Sequence, residues 1–259
     1  LTPEISATLV ETGLDWIAYS IDGATASTYE SIRQGAHFQA VLGHLQAMQE
    51  AKRVRQSQTP HTMIFFVMMR QNVQELPQMV ELAHRLGVDQ VVAKNLDVIL
   101  KEGDAEKAIF GDYTPPSEVG HVLDEARGLA ARYHLPLRVY SLQPQEAVVC
   151  EQDPLNSLFV NWQGDVSPCI TLAYAQRQFF GGEWRAVQRR RWGNVNQEEL
   201  PAIWQRAEYQ EFRGVFQARR RAWVGTALEA VTEGVHNGDS LALPPAPEGC
   251  RTCSYLYGV

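Results

Sequence analysis

The chain has 259 residues, 45% of them hydrophobic and 20% charged, a globular composition with length for one large domain or two small ones. A formal net charge of -7 argues against a protein whose main task is covering nucleic-acid phosphates, which calls for a basic face. The longest apolar run, Met63 to Met69, falls far short of the ~20 residues that a membrane-spanning helix needs.

LTPEISATLV, the opening segment, already reads as helix, and WIAYSI at 16–21 reads as a strand running into the turn-forming DGAT. A helix should follow, because Phe38, Val41, Leu42, Leu45 and Met48 recur at helical spacing. TMIFFVMM at 62–69 is a continuous apolar run of the kind found in a strand buried on both faces. In the next helix Asn72 and Glu75 have capping-box spacing, Val73, Leu76, Val80 and Ala83 make a stripe, and Gly87 can end it. A strand at 88–96, a helix near 117–133 and a strand at 135–140 continue the series. Alternation of this kind implies crossover units and a parallel sheet. Its active site belongs at the carboxyl ends of the strands, where Ser20, Asp22, Arg70 and Asn72 fall by position.

The alternation stops near residue 141, which divides the chain into expected domains at 1–140 and 141–259. SLFVNWQGDVSPC reads as a hairpin around Gln163 and Gly164. Leu200, Ile203, Trp204 and Ala207 mark one helix, and the stretch from Ala222 to Gly249 reads as a loop-rich insertion. Two arginine triplets, Arg189 to Arg191 and Arg219 to Arg221, read as solvated surface, with an acidic partner as the alternative.

All four cysteines lie in this second part. Eighteen residues separate Cys150 from Cys169, eighty separate Cys169 from Cys250, and two separate Cys250 from Cys253. A Cys-x2-Cys pair lets one tight turn supply two thiolates, leaving two more to come from elsewhere to finish a four-thiolate metal or cluster site. The competing readings are a thioredoxin-like redox pair, disfavoured because such a motif follows a strand and opens a helix whereas Cys253 precedes the closing SYLYGV, and small buried hydrophobes. Spacing does not separate zinc from iron–sulfur.

Two stretches carry a family resemblance. GLDWIAYSIDGATASTYESIRQGAHFQAVLGHLQAM resembles the middle of the radical S-adenosylmethionine (radical SAM) barrel, in which a strand ends in Ser-x-Asp-Gly and the next helix carries Tyr-x-x-Ile-Arg and then Phe-x-x-Val. The second part, with Cys150, Gly164-x4-Cys169, GNV, a helix containing IW, an Arg and the closing Cys-x2-Cys, is similar to the SPASM/twitch extension of those enzymes. This likeness implies an α/β fold, the later half of a partial (β/α)6 barrel followed by a small α+β cluster-binding domain. Neither the family's Cys-x3-Cys-x2-Cys motif nor its Gly-Gly-Glu segment is present; Gly181 and Gly182 begin GGEW outside any strand-to-helix context. A fragment of a longer protein is therefore expected.

By resemblance, Cys150, Cys169, Cys250 and Cys253 would ligate one auxiliary [4Fe-4S] cluster, as in the twitch form. Ser20 would donate to the carboxylate or ribose of S-adenosyl-L-methionine (AdoMet), Arg33 would pair its carboxylate and Asn72 would touch its adenosine. Local readings of the same residues are a strand-end cap, a surface arginine and a helix cap. Asp22 reads as a turn former, and Arg70 and Lys94 as strand-end charges. A second [4Fe-4S] cluster would sit in the absent N-terminal part. Reduced by a flavodoxin or ferredoxin, it would cleave AdoMet to a 5'-deoxyadenosyl radical. Three functions follow as expectations: oxidative modification of a peptide or protein in the cytoplasm, dehydrogenation of a small molecule, and a non-catalytic zinc-binding or scaffolding role.

Overall fold

The structure, a computed structural model, describes residues 1–109, 117–233 and 243–259. Two compact units divide the chain: Leu1–Leu96 with Gly103–Leu142, and Asp97–Glu102 with Gln143–Val259.

In the first unit α1 (Pro3–Glu11) starts where the Thr2 side chain accepts the Ile5 amide and proline occupies the first turn, the position where a missing N–H costs nothing. There follow β1 (Trp16–Ser20), α2 (Ala26–Ile32), α3 (Phe38–Val54), β2 (His61–Met68), α4 (Leu76–Arg85), β3 (Gln90–Asn95), the short α5 (Glu102–Ala105), α6 (Ser117–Tyr133) and β4 (Leu137–Val139). The strands form one sheet in the order β1-β2-β3-β4, every pair parallel. Each strand therefore lies beside its predecessor, as a barrel wall built from crossover units requires. In β2, Thr62, Ile64, Phe66 and Met68 are fully buried while Met63, Phe65 and Val67 are partly covered, so the run alternates and does not bury both faces equally. The α4 stripe is buried as its spacing predicts: Leu76, Val80 and Ala83 are wholly inaccessible, with Val73 just before them. Each large apolar side chain sequestered in this way contributes about 1.5–3 kcal/mol.

Two expectations are corrected here. The single helix foreseen after β1 is two, because the chain leaves helical conformation at Arg33 (φ -104°, ψ 80°) and re-enters at Phe38. The Asn72–Glu75 capping box does not form: Asn72 precedes a 3-10 turn, Val73–Glu75, with no side-chain cap bond, since both side chains are drawn to the loop after β1.

The second unit holds a three-stranded antiparallel sheet of β5 (Phe159–Val160), β6 (Asp165–Ser167) and β9 (Gly193–Asn194), and a separate hairpin of β7 (Gln176–Phe180) and β8 (Glu183–Val187). Gly181 and Gly182 are that hairpin's turn, with φ of 62° and 80°. Gly164 turns β5 into β6 at φ 85°, where a Cβ would fall 2.4 Å from the Asn196 amide nitrogen; only glycine fits both demands. Buried Asp165 collects Arg189, Arg191 at 2.6 Å and Asn194 at 2.8 Å. The first arginine triplet is thus partly spent inside the unit.

Helices α7 (Leu200–Trp204), α8 (Ala207–Glu233) and α9 (Ser254–Tyr257) complete the unit. The helix foreseen across 200–207 breaks at Gln205, and Arg206 turns back to donate to the Trp192 carbonyl. The loop foreseen from Ala222 is also corrected, because α8 continues through it to Glu233. Trp223, Val224 and Leu228 stay exposed there, so no apolar stripe marks that part of the helix in the sequence. Residues 234–242 of the foreseen loop lie outside the described residues, and 243–247 are irregular.

Candidate functional site

At the carboxyl ends of β1 and β2 the first unit gathers a polar network. Ser20 ends β1 exposed, whereas Asp22, two residues on, is 3% exposed. Asp22 is more than a turn former. Its Oδ1 accepts the Val67 amide at 2.8 Å, its Oδ2 accepts Arg33 Nε at 2.7 Å, and its carbonyl accepts Asn72 Nδ2 at 2.9 Å. Gly23 must be glycine, because a Cβ would lie 2.5 Å from the Tyr29 backbone nitrogen where α2 packs against the turn.

Asn72 is fully buried. Its Nδ2 donates to Asp22 and, at 2.8 Å, to the Val67 carbonyl, while its Oδ1 accepts the Met69 amide at 2.7 Å. That spends both amide protons and one acceptor site on the strand ends, so Asn72 in this arrangement holds the loops and presents nothing outward. Arg33 is 37% exposed beyond its bond to Asp22. Glu75 accepts the Ala24 amide at 2.7 Å together with the hydroxyls of Thr25 and Thr28, securing the N-terminus of α2. Arg70 is exposed, and Lys94 lies over the Tyr140 ring at 5.8 Å. Of the three residues expected to touch AdoMet, Ser20 and Arg33 are therefore the two left at least partly exposed.

The second site brings together all four cysteines. Cys169 follows β6 and leads into the 3-10 turn Thr171–Ala173, Cys250 closes the turn Glu248–Cys250, and Cys253 stands before α9. The Cys253 amide donates to the Cys250 carbonyl at 3.1 Å, the tight turn that a Cys-x2-Cys pair needs. Cys150 arrives from far upstream because the Gln145 and Ala147 amides donate to the carbonyls of Tyr257 and Leu256, at 2.9 and 2.7 Å. Leu172, Val187, Phe216, Ala246 and Leu256 form an apolar core with Cys250, and Cys150 and Cys169 pack against it.

All four thiols are free. Burial pushes the Cys150 thiol up to about 11 and the Cys169 thiol to about 12, and raises Cys250 and Cys253 as well. Each neighbouring thiolate adds to the shift: Cys253 acts on the other three, and Cys150 and Cys169 act on Cys250. Amides of Thr171 and Leu172 at Cys169, and of Tyr255 and Leu256 at Cys253, favour the thiolate. Among the described residues no three His, Cys, Asp or Glu side chains close on a single ion. Four thiols gathered in one region are the donors that either a zinc ion or an iron–sulfur cluster takes. The donor set fits a four-thiolate iron–sulfur cluster.

Comparison with known proteins agrees with that chemistry. Residues 150–227 match the family model described as SPASM, an iron-sulfur cluster-binding domain. That segment of the chain is similar to a SPASM domain. A solved structure titled "Native anSMEcpe with bound AdoMet" superposes with a TM-score of 0.53 at 12% identity, over 83% of this chain and 56% of that one. Among curated proteins, the tungsten-containing aldehyde ferredoxin oxidoreductase cofactor-modifying protein of Pyrococcus furiosus is 24% identical over 225 residues, 82% of this chain. The chain spans 58% of that relative's length. Cys250 and Cys253 lie beyond the matched SPASM segment, and the fold is what joins them to Cys150 and Cys169.

The sequence did not reveal Asp22 and Glu75 as network centres, since their partners are up to 51 residues away. Nor did it separate Arg219, which is 0% exposed, from its two exposed neighbours. Among the described residues no helix is long and apolar enough to cross a membrane.

Proposed function

We propose that this chain is part of a radical SAM enzyme whose SPASM domain holds one auxiliary [4Fe-4S] cluster on Cys150, Cys169, Cys250 and Cys253. The observation that carries the reading is the gathering of four free cysteines, two buried and two half-buried, from three separate segments of the second unit. Bound AdoMet and the clusters supply radical and electron-transfer chemistry; the chain's own residues position them. Ser20 offers a hydroxyl at the end of β1, and Arg33, oriented by Asp22 through its Nε, offers the rest of its guanidinium to a carboxylate. Asn72 and Glu75 keep those loops in register, a positioning role in place of the direct adenosine contact.

Oxidation of a peptide or protein substrate is the first substrate reading, with a flavodoxin or ferredoxin as reductant and the reducing cytoplasm as the compartment suited to free thiols. A second reading, modification of a small molecule, draws support from the curated relative, whose printed name is that of a cofactor-modifying protein. The whole protein, reconstituted anaerobically with reductant and AdoMet, should release 5'-deoxyadenosine, faster with substrate present. Peptide and small-molecule fractions offered separately decide between the two readings. Absence of AdoMet cleavage by the whole, cluster-loaded protein would contradict the enzymatic reading and favour the zinc or scaffolding role.

A further inference from the structure

α8 carries three consecutive arginines, and they differ in environment. Arg220 and Arg221 are exposed, whereas Arg219 is 0% exposed and heads the fully buried side chains ranked by volume. A buried guanidinium is costly unless its donors are paired. Here Nε donates to the Val148 carbonyl at 3.0 Å, Nη2 to the Ala147 carbonyl at 2.8 Å, and Nη1 to the Pro244 carbonyl. Glu146 pairs with Nη2 at 2.9 Å.

The partners lie on the two segments that deliver cysteines. Val148 is two residues before Cys150, and Pro244 is six before Cys250. One side chain therefore fastens both ligand-bearing strands of chain to α8. Its charge is buried one helical turn from Phe216, which packs in the same apolar core as Cys250, and two residues of chain from Cys150 through the Val148 carbonyl. A lysine, with one rotatable ammonium, could keep the charge but not the planar fork that serves three carbonyls at once.

We propose that Arg219 is a positioning and charge-compensating residue of the auxiliary cluster, fixing where Cys150 and Cys250 stand and raising the cluster's reduction potential. The proposal rests on the cluster reading above. A four-thiolate cluster brings negative charge into an apolar interior, and one-electron reduction adds more. A nearby buried cation stabilises the reduced form preferentially, one of the means by which proteins set such potentials.

The test is an EPR-monitored redox titration of the anaerobically reconstituted chain, together with the rate of iron loss to a chelator, for wild type, Arg219→Met, Arg219→Lys and Glu146→Gln. Arg219→Met should lower the reduced-to-oxidised ratio at a fixed potential at least tenfold, which is 59 mV for one electron, and should lose iron several-fold faster. Arg219→Lys should keep that ratio within about twofold of wild type yet still lose iron faster, separating charge from fork. Glu146→Gln, changing a half-exposed partner, removes a negative neighbour and should shift the ratio the opposite way. If Arg219→Met does not fold, this fourth protein alone decides. Unchanged potentials in Arg219→Met or in Glu146→Gln would overturn the proposal. Failure of the wild-type chain to take up iron and sulfide would instead overturn the cluster reading beneath it.

Discussion

The strand-end network of the first unit and the cysteine group of the second differ in what they still require. Asp22, Asn72 and Glu75 answer one another and the surrounding backbone, so their geometry stands without a ligand. The four thiols are answered only in part, by a few backbone amides at Cys150, Cys169 and Cys253. Burial raises all four, and on the proposed reading loading with a cluster is what takes their protons away. A loop scaffold can be assembled from hydrogen bonds alone, whereas a cluster site is assembled by folding and completed by loading.

The largest expected effect follows from the thiols. With Cys150 at about 11 and Cys169 at about 12, the metal-free folded protein should react with iodoacetamide at neutral pH about a hundredfold more slowly than an exposed cysteine, because the thiolate is the nucleophile. Alkylation should accelerate as pH rises toward those values. Fast labelling at pH 7 in the folded state would erase the contrast between the two regions.

Asn72→Ala comes next. It strands the Met69 amide and two carbonyls in a buried place, a loss of about 2–4 kcal/mol by chemical denaturation. Asp22→Ala should cost a similar amount, because the Val67 amide and Arg33 both lose their acceptor. Smaller, and lost in acid, is the contribution of Asp165. Hydrogen bonding from Asn194, followed by Arg191 and Arg189, holds it down at about 2, against about 3.9 in an unfolded chain. A depressed carboxylate stabilises above the unfolded value and loses that stabilisation as pH falls through the folded one. Wild type should therefore exceed Asp165→Asn in stability at pH 7, and the difference should disappear between about pH 4 and pH 2. The smallest effect on folding belongs to exposed Ser20. Ser20→Ala should change stability by less than about 0.5 kcal/mol while weakening AdoMet binding to the whole protein about five- to tenfold, the worth of one hydrogen bond. If stability falls and binding does not, Ser20 belongs with the scaffold.

How much of this was legible follows from the range of the forces involved. β1 to β4 announce themselves as apolar runs, and α4 as a stripe, because burial leaves a local period in the sequence. α8 beyond Ala222 leaves none, since its outward residues include Trp223, Val224 and Leu228. Asn72 and Glu75 have the spacing of a local cap, but Asn72 finds the Asp22 carbonyl 50 residues away and Glu75 the Ala24 amide 51 away. Spacing alone could not choose between near and distant partners. Cys250 and Cys253 were legible as a pair, and their union with Cys150 depends on backbone bonds to Tyr257 and Leu256 that no motif encodes. Arg219 looked like surface because the triplet is uniform in sequence and only the helix's phase distinguishes its members.

The most direct measurement is iron, acid-labile sulfide and zinc per chain after anaerobic reconstitution, beside a Cys250→Ala/Cys253→Ala variant. About four irons and four sulfides per wild-type chain, absent from the variant, are the expected result for one cluster on these cysteines. About one zinc per chain with no stable sulfide would contradict it and make the four thiols a structural metal site.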